Sequence, residues 1–484
     1  MKKKLYLLAF LLWLIPWQGT SQSWPSFDPA QELNYKQRLD SLVHYIWYSM
    51  IGDWYAYNKT EYTYDDQRRL VHYQYYEWHI QQNIWINNSK EEFVYDALGN
   101  LAIHTGWAWN GQEQAWYGSW NNLYEYAQGK LHSLIVQEWD FNATGWVNYE
   151  KYEYTYGPED LPVKLEQFEW LSDNSSWEPD RITEYIYDGE GQLILDLMQA
   201  WGGGQWWDIL KNEYTYDEHG NLLTRTYIQW ESDSSQWVPE YLITYTYNEQ
   251  DLTLSYTGHQ YNMETGTWIK DDKAEYIYDA NGDPVTEFFY LGNEQNEWRI
   301  AGKWEMEYDG ARNRTLETSF SWNEEGGDYA PASKRAYLFD PAYAPDELIL
   351  PGHPYFRAEH FAHGKMTDEL YFLWNSAAND WKNTDKYTYF FTTLPGEGLF
   401  EAEAGELLVY PNPADDRVFI DLPAGQMLVP AGVVCHILDS QGRLISTVKM
   451  GLDRSIPLSG LPQGMYYLEI LSGDKSFTAR LYKR

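Results

Sequence analysis

Cysteine is almost missing from this sequence. The single Cys435 among 484 residues excludes an internal disulfide framework and any zinc site built on thiolates. Packing and backbone pairing must therefore hold the fold together. Basic residues are scarce as well: 35 Lys and Arg stand against 72 Asp and Glu, a formal net charge of -37. A surface of that sign repels phosphate backbones and anionic lipid heads, which argues against nucleic acid as a partner. The longest apolar run is at the N-terminus, where Leu5 to Trp17 follows Lys2-Lys3-Lys4 and precedes Gly19-Thr20-Ser21-Gln22. That order of charged, apolar and small residues is a secretory signal peptide over residues 1–21, and the run is shorter than the roughly 20 residues a spanning helix needs. The mature chain is expected to start near Gln22, without a transmembrane segment. A nucleophile elbow, a phosphate loop and a dinucleotide fingerprint are all missing, so the sequence nominates no catalytic residue and no cofactor.

Aromatic residues are abundant: 26 Trp, 44 Tyr and 17 Phe make up 18% of the chain, about twice the usual share. They recur with a period. Pairs of the form aromatic-x-aromatic, often followed by Asp, stand at Tyr62/Tyr64, Phe93/Tyr95, Tyr124/Tyr126, Tyr154/Tyr156, Tyr185/Tyr187, Tyr214/Tyr216, Tyr245/Tyr247 and Tyr276/Tyr278. Weaker copies follow at Met306/Tyr308, Tyr337/Phe339 and Tyr387/Tyr389. The second residues advance by 29 to 31 as far as Phe339, and then by 50 to Tyr389. One unit is interrupted, at about residues 340–363.

Two tryptophans follow most anchors, after about 14 and 21 residues: Trp78 and Trp85, Trp109 and Trp116, Trp170 and Trp177, Trp230 and Trp237. Between anchor and tryptophan lies Asp-x-x-Gly-Asn, clearest at Asp96–Asn100 and Asp217–Asn221. An Asp able to bond its own following backbone, then a Gly able to take positive φ, describe a hairpin turn of type I closed by a left-handed residue. A second, polar loop separates the tryptophans, as in Ser232-Asp233-Ser234-Ser235-Gln236. Each unit is then two antiparallel strands and two turns. Strict alternation places Tyr214, Tyr216, Trp230 and Trp237 on one side of the sheet. A flat meander would leave that side wet, so the expectation is an all-β chain: about eleven two-stranded repeats of 31 residues over 22–391, coiled or closed on an aromatic face. The string Glu213 to Leu222 resembles the tyrosine-aspartate (YD, or Rhs-type) repeats of large bacterial surface and toxin-delivery shells, a family in which a strip of sheet winds into a hollow shell.

Composition changes near Leu407, after a linker at residues 392–406. No Trp follows Trp381, and residues 407–484 hold 8 basic and 7 acidic residues, so nearly all of the acidic excess lies in the repeats. Short alternating segments separated by Gly and Pro give a small immunoglobulin-like β-sandwich pattern. Tyr410-Pro411-Asn412-Pro413, then Asp439 and Gly442 within Ile437 to Leu444, then Gly464-Met465-Tyr466 resemble the type A C-terminal sorting domain of the type IX secretion system of Bacteroidota. That resemblance implies passage to the periplasm, reading by the outer-membrane translocon, and release or attachment at the cell surface.

Candidate chemistry in the repeats is sparse. Asp279-Ala280-Asn281-Gly282-Asp283 begins like a calcium loop, but its Gly comes too early and no distal Glu completes it. His353, His360 and His363 fall inside the interruption without the intervening Glu of a metalloprotease helix, so no metal site is assigned. The tryptophan pairs Trp78/Trp85, Trp109/Trp116, Trp170/Trp177 and Trp230/Trp237 are the most plausible binding feature, because an indole stacks on sugar rings. Their recurrence in nearly every unit equally suits a scaffold. Three function classes follow: a surface binding or adhesion protein, favoured here and with glycans as candidate partners; a structural surface layer; and an enzyme acting on extracellular polysaccharide.

Overall fold

The computed structural model describes residues 35–394 and, further on, residues 408–410, 414, 417–421, 434–439, 444–449, 455–472 and 475–483. The expected signal peptide, the linker from residue 395 onward, and Pro411, Asn412, Pro413 and Gly442 lie outside these residues. Two compact units divide the chain, one up to Pro395 and one from Gly396.

In the first unit every repeat becomes a hairpin, and each strand pairs antiparallel with the next. The last strand, Asp380–Thr393, returns to pair with the first, Gln37–Tyr48, from Gln37 opposite Thr393 to Ile46 opposite Asp385. The result is a closed, all-β barrel of 22 antiparallel strands, with the two-residue strand Leu348–Ile349 added in parallel beside Gln37 and Arg38. Closure leaves no long edge for another chain to extend.

The turns form as the sequence suggests. Asp217 accepts from the backbone of His219 and Asn221 at 2.9 and 2.8 Å, Gly220 donates back to the Asp217 carbonyl at 3.2 Å, and Gly220 has φ +88°. Strict alternation breaks within the strands. Opposite Tyr214 and Thr215 stand Arg225 and Thr224, but Tyr216 faces Leu222, so Leu223 is an extra residue. A second extra residue, Glu240, lies between Tyr241 and Pro239, which face Tyr227 and Ile228. Each bulge reverses which side the following residues face. Trp230 and Trp237, which pair directly, therefore share a side with Glu213, Thr226 and Ile228, and Tyr214 shares the other with Arg225, Tyr227 and Tyr241. The expectation that tyrosines and tryptophans share one aromatic face is corrected: the barrel has a tyrosine side and a tryptophan side.

The interruption shows which side is which. Between Asp340 and Lys365 the Asp turn is replaced by a segment carrying two short 3-10 helices, Pro345–Glu347 and Ala358–Phe361. It packs on the tyrosine side. His353 stacks on Tyr73 at 4.6 Å, Phe356 meets Tyr62 at 6.2 Å, Phe361 meets Tyr389 at 5.3 Å and His360 meets Tyr337 at 5.6 Å. Those partners come from strands on both sides of the seam, and so short a segment reaches them all only across the concave surface. The tyrosine side lines the lumen, and the tryptophan side faces out. Leu39, Leu70, Phe93, Phe361 and Met366 are nearly fully buried around the segment, so the main apolar core of the barrel sits at this end.

The second unit has a three-stranded sheet, Leu408–Tyr410, Arg417–Asp421 and Ser455–Pro457, and a four-stranded one, Leu444–Lys449, Val434–Asp439, Gly464–Ser472 and Lys475–Lys483. Val418, Cys435, Ile437, Ile456, Leu468 and Leu481 form one apolar core between them. Tyr410 ends a strand, Asp439 ends another, Gly464 begins a third, and buried Tyr466 donates to the Pro462 carbonyl at 2.9 Å.

Candidate functional site

The eight tryptophans singled out by their spacing all lie on the outward face and are all half-buried. Each pair meets edge to face, with ring centroids 4.8 Å apart for Trp78/Trp85, 5.0 Å for Trp109/Trp116, 4.9 Å for Trp170/Trp177 and 5.2 Å for Trp230/Trp237. The second member of each pair also has a lysine ammonium over its ring: Lys59 over Trp85 at 5.3 Å, Lys90 over Trp116 at 5.4 Å, Lys151 over Trp177 at 5.6 Å and Lys211 over Trp237 at 5.2 Å. Each of these lysines pairs with the glutamate two residues on, Glu61, Glu92, Glu153 and Glu213, at 2.5 to 2.7 Å. The pairs thus brace hairpins, and a cation shares the face that a sugar ring would need. By contrast, Trp207 is the large exposed tryptophan among the described residues, 53% exposed on the lumen side, with its Nε1 donating to the Gly202 carbonyl.

Lining the lumen are buried ionisable groups that no spacing in the sequence marks. Asp196, 3% exposed, accepts from Asn212 at 2.9 Å and Tyr214 at 2.8 Å, and burial raises its pKa. Glu317 lies between Arg314 at 2.9 Å and Arg335 at 3.3 Å. Glu91 joins the wall to the interrupting segment, accepting from His104 at 2.7 Å and His353 at 3.1 Å. Burial pushes the Glu91 carboxyl up, but the two imidazoles outweigh it and hold it at about 2. For His104 burial wins and lowers its pKa, so the stable pairing is a carboxylate with a neutral imidazole donor. The signal for these groups lay in the side assignment, which the uncounted bulges concealed.

Under the interrupting segment is a cavity of about 380 Å³, walled by Tyr308, Tyr337, Arg312, Asn313, Arg314 and His360. Arg312 forks onto Asp283 at 2.7 and 2.8 Å. The calcium-like loop is spent on structure: Asp279 caps the backbone of Asn281 and Asp283 at 2.8 and 2.9 Å, while Asp283 holds Arg312. The three histidines are not brought together, since His353 binds Glu91 whereas His360 and His363 line the cavity. Burial lowers the pKa of His360 to about 4, leaving a neutral ring.

Residues 408–484 match the family described as the secretion system C-terminal sorting domain. Residues 190–278 match a family of unknown function, DUF3836. Among solved structures, a DUF3836 family protein from Bacteroides vulgatus is 19% identical, covers 19% of this chain and 90% of its own, and has a TM-score of 0.17. The TcdB2-TccC3 structure is 13% identical over 92% of this chain and 24% of that one, with a TM-score of 0.25. A porin-like protein from Bacteroides uniformis is 9% identical over 73% of this chain and 98% of that one, with a TM-score of 0.22. No curated protein matches the chain. Residues 408–484 are a type IX sorting domain, and the protein engages the type IX secretion machinery through it and is exported to the cell surface or released.

Proposed function

We propose that the exported barrel is a binding scaffold for an extracellular ligand, with glycans as the favoured class. The observation that carries this reading is the broken repeat. Units that serve only to close a barrel repeat a turn, whereas the unit after Phe339 spends its extra residues on the lumen and encloses a cavity lined by arginine, asparagine, histidine and tyrosine. Concave sites that join aromatic walls to a few polar groups are where small ligands bind. The outward face supports a barrel that stands in water, because Lys59–Glu61, Lys90–Glu92, Lys151–Glu153 and Lys273–Glu275 recur where a lipid-facing band would be apolar.

A second reading places stacking on the outward tryptophans, since all eight keep part of their surface in solvent around one end of the barrel. The lysine caps favour a bracing role for them. A glycan array probed with the chain from residue 22 onward tests the class: retention on at least one glycan is expected. No retention removes the glycan version, and release of product from a polysaccharide moves the case to an enzyme.

A further inference from the structure

We propose that the cavity beneath the interrupting segment binds one neutral, pyranose-sized sugar residue, in hydrogen bonds with Asn313 and His360 and against the ring of Tyr308. This deepens the binding reading above and rests on it. Asn313 occupies the last position of an Asp turn, like Asn100 and Asn221, and its Nδ2 donates to Asp309 at 2.9 Å, as theirs do to Asp96 and Asp217. In those units the asparagine is half-buried, so water reaches it. Here the segment roofs it, leaving Asn313 6% exposed with its Oδ1 buried and without a partner. The roof is close because residue 364 is glycine: a Cβ there would stand 2.9 Å from that oxygen. A buried acceptor left without a donor is unfavourable, and a ligand hydroxyl would satisfy it.

The second unsatisfied atom is Nδ1 of His360, also buried and without a partner. It stands on the segment itself, beside Tyr337, so the two residues that carry the unpaired atoms line the same cavity from wall and roof. The two arginines lining the cavity already have partners, and Glu359 stands exposed at its edge. Arg312 is held by Asp283 and Arg314 by Glu317. An anionic ligand would have to break one of these pairs, and a cationic one would gain only the exposed, solvent-screened carboxylate of Glu359, whereas a neutral polyol supplies donors and acceptors without disturbing either pair. Tyr308, half-buried, adds ring surface of the kind that packs on a sugar, while Tyr337, 4% exposed, backs the wall. At about 380 Å³ the cavity lies at the small end of the range for ligand sites, which suits a single residue or the end of a longer chain.

Titration calorimetry of the mature chain against glucose, galactose, mannose, xylose and N-acetylglucosamine, with galacturonate and glucosamine as charged counterparts, tests the proposal. At least one neutral sugar should bind, with the charged forms weaker. Both Asn313→Ala and His360→Phe should weaken binding about tenfold, and Tyr216→Phe, in a repeat away from the cavity, should not, with thermal melts showing each variant folded. Neutral sugar binding unchanged in both cavity variants, or a preference for a charged sugar, overturns the cavity assignment. If the glycan array still shows retention in that case, the binding reading survives without this site; silence in both experiments removes both.

Discussion

The hydroxyl of Tyr216 donates to the backbone carbonyl of Leu193, in the preceding repeat, at 2.8 Å. The same bond joins Tyr64 to Leu39, Tyr95 to Leu70, Tyr156 to Leu131, Tyr187 to Pro162, Tyr247 to Leu222, Tyr278 to Thr253 and Tyr308 to Pro284, all at 2.7 to 2.9 Å. The second anchor residue is therefore a staple that ties each unit to the one before. Burial makes these phenols harder to ionise, and Tyr95 rises to about 12, so they remain donors across the physiological range. Tyr216→Phe keeps the ring and loses the bond, and should cost about 0.5–1.5 kcal/mol in urea unfolding. The same change in three staples should lower stability cumulatively. A triple variant as stable as the parent would show that the staples do not matter.

Replacement of Gly220 by alanine should destabilise through backbone strain. Its φ is +88°, and the nearest atom to an added Cβ is the flexible end of Gln192 at 3.2 Å, so crowding is the minor effect. The expected loss is about 1–3 kcal/mol. Gly220→Asn should recover much of it, because asparagine tolerates the left-handed region and Arg68, Asp160, Asp251 and Arg312 already adopt it in the barrel. Denaturation midpoints of the two variants compare directly.

Acid should loosen the end of the barrel that holds the interrupting segment. His360 and His104 have folded pKa values below 6.5, so the unfolded chain binds their protons first and stability falls as pH drops below about 6.5. Glu91, held at about 2 against 4.5, contributes stability that is complete above about 4.5 and is lost as pH falls towards 2, on the order of 3 kcal/mol. Glu91→Gln should therefore lower stability at pH 7 and flatten its decline below pH 4.5. A melting profile parallel to that of the parent through this range would contradict the assignment.

Trp230→Ala should cost about 2 kcal/mol, less than the 3–5 of a fully buried aromatic, because the indole is half-buried and braced by Trp237. Trp230→Phe should retain most of the stability. If both variants melt like the parent while glycan retention disappears, the outward tryptophans are the binding surface rather than braces.

Much of the fold was legible because the repeat states its own rules. The 31-residue period, the Asp-x-x-Gly turn and the direct pairing of Trp230 with Trp237 are local signals, and all three appear in the structure. Side assignment was not legible, because one extra residue such as Leu223 or Glu240 reverses a strand and leaves no mark on composition. The lumen site was hidden for a related reason. Glu91 and His353 stand 262 positions apart, and only closure of the sheet brings the interrupting segment over strands near the N-terminus. The period break at Asp340 was visible, but its partners were not.

Closure of the barrel underlies every other conclusion, and hydrogen exchange measured by mass spectrometry on the mature chain tests it most directly. With Gln37–Tyr48 paired to Asp380–Thr393, peptides from these first and last strands should exchange as slowly as those from the central strand Gln236–Tyr247. Fast exchange confined to the first and last strands, with the centre protected, would mean an open sheet with two free edges and would contradict the account.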